Sequence, residues 1–138
     1  MPHTTRIKLA NLRGVILAEE GVINPEDVRQ VTVENAVVDT GATRLSLPKR
    51  SLRKKLGLTL VGSRKARTTN GTVDRIIYSA VQFTVLEQQG AILVTALPGH
   101  LSVLVGHMVL EKFDLCLDIR KGLIYNPDYG DEWIEDRL

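Results

Sequence analysis

The sequence holds a single cysteine, Cys116, so no disulfide can close within the chain and no oxidising compartment is implied. Aromatic residues are scarce, at 4% of 138 positions, which leaves few rings to stack on nucleic-acid bases. Neither sign of charge is in excess: 18 Lys and Arg stand against 16 Asp and Glu, a formal net of +2. Nothing in that balance calls for nucleic acid or an anionic membrane as the main partner. Long hydrophobic runs are missing too. The longest, residues 101–110, is interrupted by Ser102, Gly106 and His107, and it falls short of the roughly 18 apolar residues of a membrane helix. Residues 1–6 are polar and lack the apolar core of a secretory signal. These absences point to a cytoplasmic protein without a membrane span.

Several chemistries drop out in the same way. His3, His100 and His107 are scattered and do not stand at metal-ligand spacing with Cys116, so no metal site is expected. Ser46 and Ser102 lack a Gly-x-Ser-x-Gly setting, and no glycine-lysine phosphate loop is present. The run Arg64-Lys65-Ala66-Arg67 is weak ground for RNA binding in a chain so nearly neutral. At 138 residues, 43% of them hydrophobic, one core of useful size can form, but a two-lobed enzyme cannot. Chemistry that needs two lobes then needs two chains.

What is there reads mostly as short strands. Residues 6–10 alternate charged and apolar side chains, the pattern of a half-buried or edge strand. Residues 14–18 and 21–23 read as strand and turn, and Asn24-Pro25-Glu26-Asp27 as a turn or one helical turn. Residues 28–38 return to strand and end in the buried run Ala36-Val37-Val38. Residues 48–56 form the first credible helix, with Pro48 at its first position, Leu52 and Leu56 one turn apart, and Gly57 as its stop. Its Lys49, Arg50, Arg53, Lys54 and Lys55 read as a solvated face.

Residues 59–69 and 72–87 are two long strands around Asn70-Gly71, the strongest short hairpin signal. Val81, Phe83 and Val85 give the second strand a clear period of two. Residues 88–90 read as a turn, 91–97 as a strand, 98–100 as a loop and 102–105 as a buried strand running into Gly106. A short helix is expected over 107–113, and a terminal hairpin from 115–119 and 123–125 around Arg120-Lys121-Gly122. The tail from Asn126 is polar and acidic.

One stretch carries chemistry: Ala36-Val37-Val38-Asp39-Thr40-Gly41-Ala42-Thr43. A carboxylate, Asp39, leaves a buried strand and is followed by a hydroxyl, Thr40, that can hold a neighbouring loop. Gly41 then lets backbone come close to the carboxylate and to a substrate. The plainest alternative is an aspartate that caps its own turn. The same letters also occur in phosphate-binding loops of sugar kinases, but those need two large lobes.

Three further features follow in order. The Asn70-Gly71 hairpin comes first, then Val103-Leu104-Val105-Gly106 with Met108-Val109-Leu110-Glu111, and last the strand pair within 115–127. With them the sequence resembles the retropepsin-like aspartic proteases, in their single-domain bacterial and archaeal form, over residues 6–127. The resemblance implies a mostly β fold: a closed retropepsin-like (acid protease) barrel with a flap hairpin and one or two short helices. It implies one domain over 1–138, with its core at about 6–127 and a polar acidic tail at 128–138.

Carried over residue by residue, Asp39 would be the catalytic acid and base. Thr40 would lock two active-site loops together, Gly41 would admit substrate backbone, and Ala42 and Thr43 would complete the loop. Thr69, Asn70, Gly71 and Thr72 would form the flap tip, and Gly106 would pack beside the active-site loop in a structural role. The chain departs from retroviral members in its polar flap tip, its longer 11–27 segment and its extra tail.

This chemistry uses two carboxylates that share one proton, and the chain has one Asp-Thr-Gly. Asp128-Tyr129-Gly130 has no apolar strand directly before it. The second carboxylate is therefore expected from a second copy of the chain, making a homodimer. The substrate would be a peptide or protein, the nucleophile water, with no cofactor and neither nucleic acid nor membrane as partner. The other reading is an inactive module of the same fold that binds peptide or dimerises.

Overall fold

Strands outweigh helices among the described residues. The computed structural model describes residues 3–39, 41–69, 71–97, 102–112, 116–118, 123–125 and 134–137. Its strands are β1 (Thr4–Asn11), β2 (Gln30–Val38), β3 (Leu45–Ser46), β4 (Leu60–Thr68), β5 (Gly71–Val85), β6 (Gln88–Thr95), β7 (Leu104–Val105), β8 (Cys116–Asp118), β9 (Leu123–Tyr125) and β10 (Ile134–Arg137). Between them lie the helices α1 (Leu12–Glu19), α2 (Arg50–Lys55) and α3 (His107–Lys112), and a 3-10 turn at Pro25–Asp27.

Seven strands form one sheet in the order β1-β2-β7-β3-β6-β5-β4. β1 also pairs with β5, Leu9 opposite Phe83, so the pairings from β1 round to β5 return to the strand they started from. β4 hangs on the outer side of β5. The strands β8, β9 and β10 make a second, antiparallel sheet with β9 at its centre.

Alternation decides which face each strand turns inward. Ile7 and Leu9 of β1, Val81, Phe83 and Val85 of β5, and Val94 of β6 point into one core, each at most 1% exposed. Leu45, Leu47, Leu56, Val105 and Val109 close it. Each such side chain contributes about 1.5–3 kcal/mol by leaving water.

β5 is 15 residues long and has two parts. Its inner part lies between β6 and, from Val81 to Thr84, β1. Its outer part, residues 71–76, pairs with β4 alone. Where the two parts meet, both arms of the hairpin are irregular, with register shifts between Leu60 and Gly62 and between Tyr78 and Ala80. The same place is tied down by Ser79 N–H donating to the Thr59 carbonyl (2.8 Å) and Thr59 N–H donating to Ser79 Oγ (3.0 Å).

Several local expectations are corrected. Residues 14–18 belong to helix α1, not a strand, so the described residues hold three short α-helices rather than one or two. The apolar run reads as strand, but Asn11 overrides it. Its Oδ1 accepts the Gly14 N–H as an N-cap (3.2 Å), and its Nδ2 donates to the carbonyls of Leu56 and Gly57 (2.9 and 3.2 Å).

Helix α2 starts at Arg50 with Lys49 as its N-cap, so Pro48 precedes the helix; Gly57, at φ +67°, terminates it. Arg53 is not merely solvated. It donates to the carbonyls of Leu47 (2.7 Å) and Pro48 (2.9 Å) and lies 4.6 Å from the ring centre of Tyr78. The β5–β6 turn falls on Leu86 and Glu87, both at positive φ, and Gly90 pairs with Phe83 inside the strand. The β4–β5 turn is also one residue early: Thr68 pairs with Gly71, so Gly71 opens β5. Within the polar tail, β10 pairs with β9. The expected 98–100 loop lies outside the described residues, as does the turn at 120–122. Among the described residues, no helix is long and apolar enough to cross a membrane.

Candidate active site

β2 runs parallel to β7, with Val37 opposite Leu104 and Val38 opposite Val105. Both strands end at this point, one in Asp39 and the other in Gly106. Val37 N–H donates to the Val103 carbonyl (2.8 Å) and Asp39 N–H to the Val105 carbonyl (3.0 Å). The last sheet hydrogen bond therefore holds Asp39 itself. Its half-buried carboxylate turns back on the chain, with Oδ1 accepting the Gly41 N–H at 2.9 Å, while Ala42 N–H donates to the Asp39 carbonyl at 3.0 Å. Oδ2 has no hydrogen-bond partner among the described residues. A Cβ on Gly41 would come 3.2 Å from Asp39 Oδ1, a tight approach that glycine avoids.

The loop is fixed from below by Gly106 and α3. Gly106 N–H donates to the Arg44 carbonyl (3.1 Å), His107 N–H to Ala42 (2.9 Å) and Met108 N–H to Thr43 (3.1 Å). The first N–H groups of a helix have no partner within it, and here the carbonyls of residues 42–44 supply them. The approach is close enough to demand glycine at 106. A Cβ there would lie 2.4 Å from the Arg44 carbonyl oxygen and 2.7 Å from that of Ala42, both backbone atoms that cannot swing aside. Val109, fully buried one turn on, anchors α3 in the core.

Of the other residues singled out in the sequence, Thr40 and Asn70 lie outside the described residues. Ala42 is buried, whereas Gly41 and Thr43 are exposed and open onto a cleft of about 400 Å³ beneath the β4–β5 hairpin. The hairpin reaches this cleft with its arms. The tip residues Thr69, Gly71 and Thr72 are exposed and stand outside the lining.

Two lining residues, Arg44 and Arg75, carry no signal in the sequence. Only the register would have revealed Arg75. A turn on Asn70-Gly71 would set Arg64 against Ile77, but the pairing of Thr68 with Gly71 sets it against Arg75. Among the described residues, no three of His, Cys, Asp and Glu come together as a metal site.

A profile for a family described as aspartyl protease matches residues 22–103, more than half of the chain. The matched stretch includes β2, the Asp39 loop, the β4–β5 hairpin and β6, and ends just before β7. No curated protein matches the chain.

Proposed function

Because the chain belongs to the aspartyl protease family of the retropepsin-like clan, we propose that it is an aspartic endopeptidase acting as a homodimer. The observation that carries this reading is the half-buried Asp39 carboxylate, oriented by the Gly41 N–H at the end of a core strand within the matched stretch. The reading takes the chain as a single domain. The returning pairings of its sheet support a closed barrel, and the β4–β5 hairpin is its flap.

Each chain brings one Asp39, and a two-fold axis brings the second. Two carboxylates about 3 Å apart cannot both ionise, so the pair holds one proton. The ionised carboxylate takes a proton from a water molecule, whose oxygen attacks the scissile carbonyl carbon. The protonated carboxyl gives its proton to the carbonyl oxygen. Collapse of the tetrahedral intermediate breaks the C–N bond, and a proton passes from the dyad to the leaving nitrogen. The Gly41 N–H occupies one oxygen of Asp39 and leaves the other to face the water. The substrate lies extended beneath the flap, held by backbone hydrogen bonds as an added strand.

The test is cleavage of a mixed peptide library between about pH 4 and pH 7.5 by wild type and Asp39→Asn, at several protein concentrations. The expected result is a set of cuts that vanish in the variant. Specific activity should rise with concentration, and the rate profile should be bell-shaped. Cuts that survive Asp39→Asn would overturn the mechanism. No cuts from a folded wild-type dimer would replace it with a peptide-binding or dimerisation module.

A further inference from the structure

Charge in the cleft beneath the hairpin is one-sided. Arg44, from the Asp39 loop, lines it with Arg64, Lys65 and Arg67 of β4 and Arg75 of β5, Arg64 and Arg75 on one face of the hairpin and Lys65 and Arg67 on the other. No Asp or Glu is among its described lining residues, and none of the five cations is ion-paired among the described residues. Within one cleft, a chain of formal net charge +2 gathers five of its 18 Lys and Arg.

Lys65 stands opposite Asp74, but two details of the arrangement are unfavourable to the hairpin itself. Arg64 and Arg75 stand directly opposite each other on β4 and β5, and like charges in that position destabilise a hairpin. Arg75 Nε is screened from solvent and has no hydrogen-bond partner among the described residues, an unfavourable state for a buried donor. An anion in the cleft would relieve both.

We infer that this cleft recognises polypeptide through side-chain carboxylates, so that substrates carry Asp or Glu next to the scissile bond; the bond itself rests on the endopeptidase reading. Guanidinium groups match carboxylates with paired, charge-assisted hydrogen bonds. The cleft opens onto the Asp39 loop at Gly41 and Thr43, so an extended chain passing that carboxylate sends alternate side chains toward the hairpin arms. Nucleic acid fits less well, because none of the described lining residues is an aromatic that could stack on a base.

The test compares two peptides that differ only by Glu or Gln beside a bond that the full chain cleaves. The Glu peptide is expected to show a kcat/KM about tenfold higher or more, a preference that added salt weakens. Arg75→Gln should shrink that ratio, and the exposed Arg64→Gln should do so if the first variant fails to fold. Binding of fluorescent versions of both peptides to Asp39→Asn reads the preference without any cleavage.

Equal kcat/KM for the two peptides overturns the acidic preference and leaves the endopeptidase reading standing. Glu-selective binding with no cleavage by wild type does the reverse. Failure of both peptides to bind, or displacement of the Glu peptide by a lower concentration of single-stranded oligonucleotide, overturns the assignment of the cleft to acidic polypeptide.

Discussion

The loop at 39–44 and the outer half of the β4–β5 hairpin border one cleft, yet they are held by opposite means. The loop is tied to its neighbours at both ends. Asp39 donates to Val105, and the carbonyls of Ala42, Thr43 and Arg44 accept from His107, Met108 and Gly106. Residues 71–76 of the hairpin pair with β4 and no other strand, and the apolar groups they carry, Val73 and Ile76, are 41% and 45% exposed. Asp39 is built into backbone next to the core. The outer hairpin is a two-stranded ladder with little burial, the kind of segment expected to open locally.

The contrast is broken most strongly at Gly106. Gly106→Ala drives a Cβ to 2.4 Å from the Arg44 carbonyl oxygen, and we expect a loss of about 3 kcal/mol in urea unfolding, together with the loss of cleavage. Unchanged stability would show the loop to be loosely held after all. Next in size is hydrogen exchange. Amides of residues 72–76 should exchange by local opening, on the order of 100-fold faster than those of 81–85. Equal protection would make the hairpin part of the core.

The smallest effect is expected at the hairpin's own glycine. Gly71 sits at φ +112°, so alanine there is strained. The damage is capped by the free energy of opening the hairpin alone. Global stability should fall by less than about 1 kcal/mol, while kcat/KM drops. If Gly71→Ala and Gly106→Ala destabilise equally, the distinction between the two segments disappears.

Much of the core was legible because it is written in adjacent residues. Val81, Phe83 and Val85 alternate with polar neighbours, and all three are at most 1% exposed. Asp39 was legible at the end of its strand, though of the expected buried run only Ala36 and Val38 are buried and Val37 is half-buried. Elements fixed by distant partners were not. Helix α1 depends on an Asn11 side chain that reaches the carbonyls of Leu56 and Gly57. The two-residue strand β3 exists only because β6 and β7 flank it. The turn at Leu86-Glu87 uses positive φ at residues that rarely adopt it, while the nearby Gly90 drew the expectation to the wrong place. The cationic cleft is the clearest case. Arg64, Lys65 and Arg67 stand close in sequence, but Arg44 and Arg75 join them only when the hairpin folds over the loop in its actual register.

The 15 residues of β5 also have a mechanical meaning. The strand is a beam with its inner half clamped in the sheet and an overhang of six residues, 71–76, on the order of 20 Å long. In a cantilever, bending concentrates at the clamp. Here the clamp is the pair of register shifts at Leu60–Gly62 and Tyr78–Ala80, the reciprocal Thr59–Ser79 hydrogen bonds and the Arg53 guanidinium 4.6 Å from the Tyr78 ring. A tilt of about five degrees there carries the tip through roughly 2 Å. Arg53, on a helix, thereby acts with a long lever arm, and the stiffness of the root governs the travel of the tip.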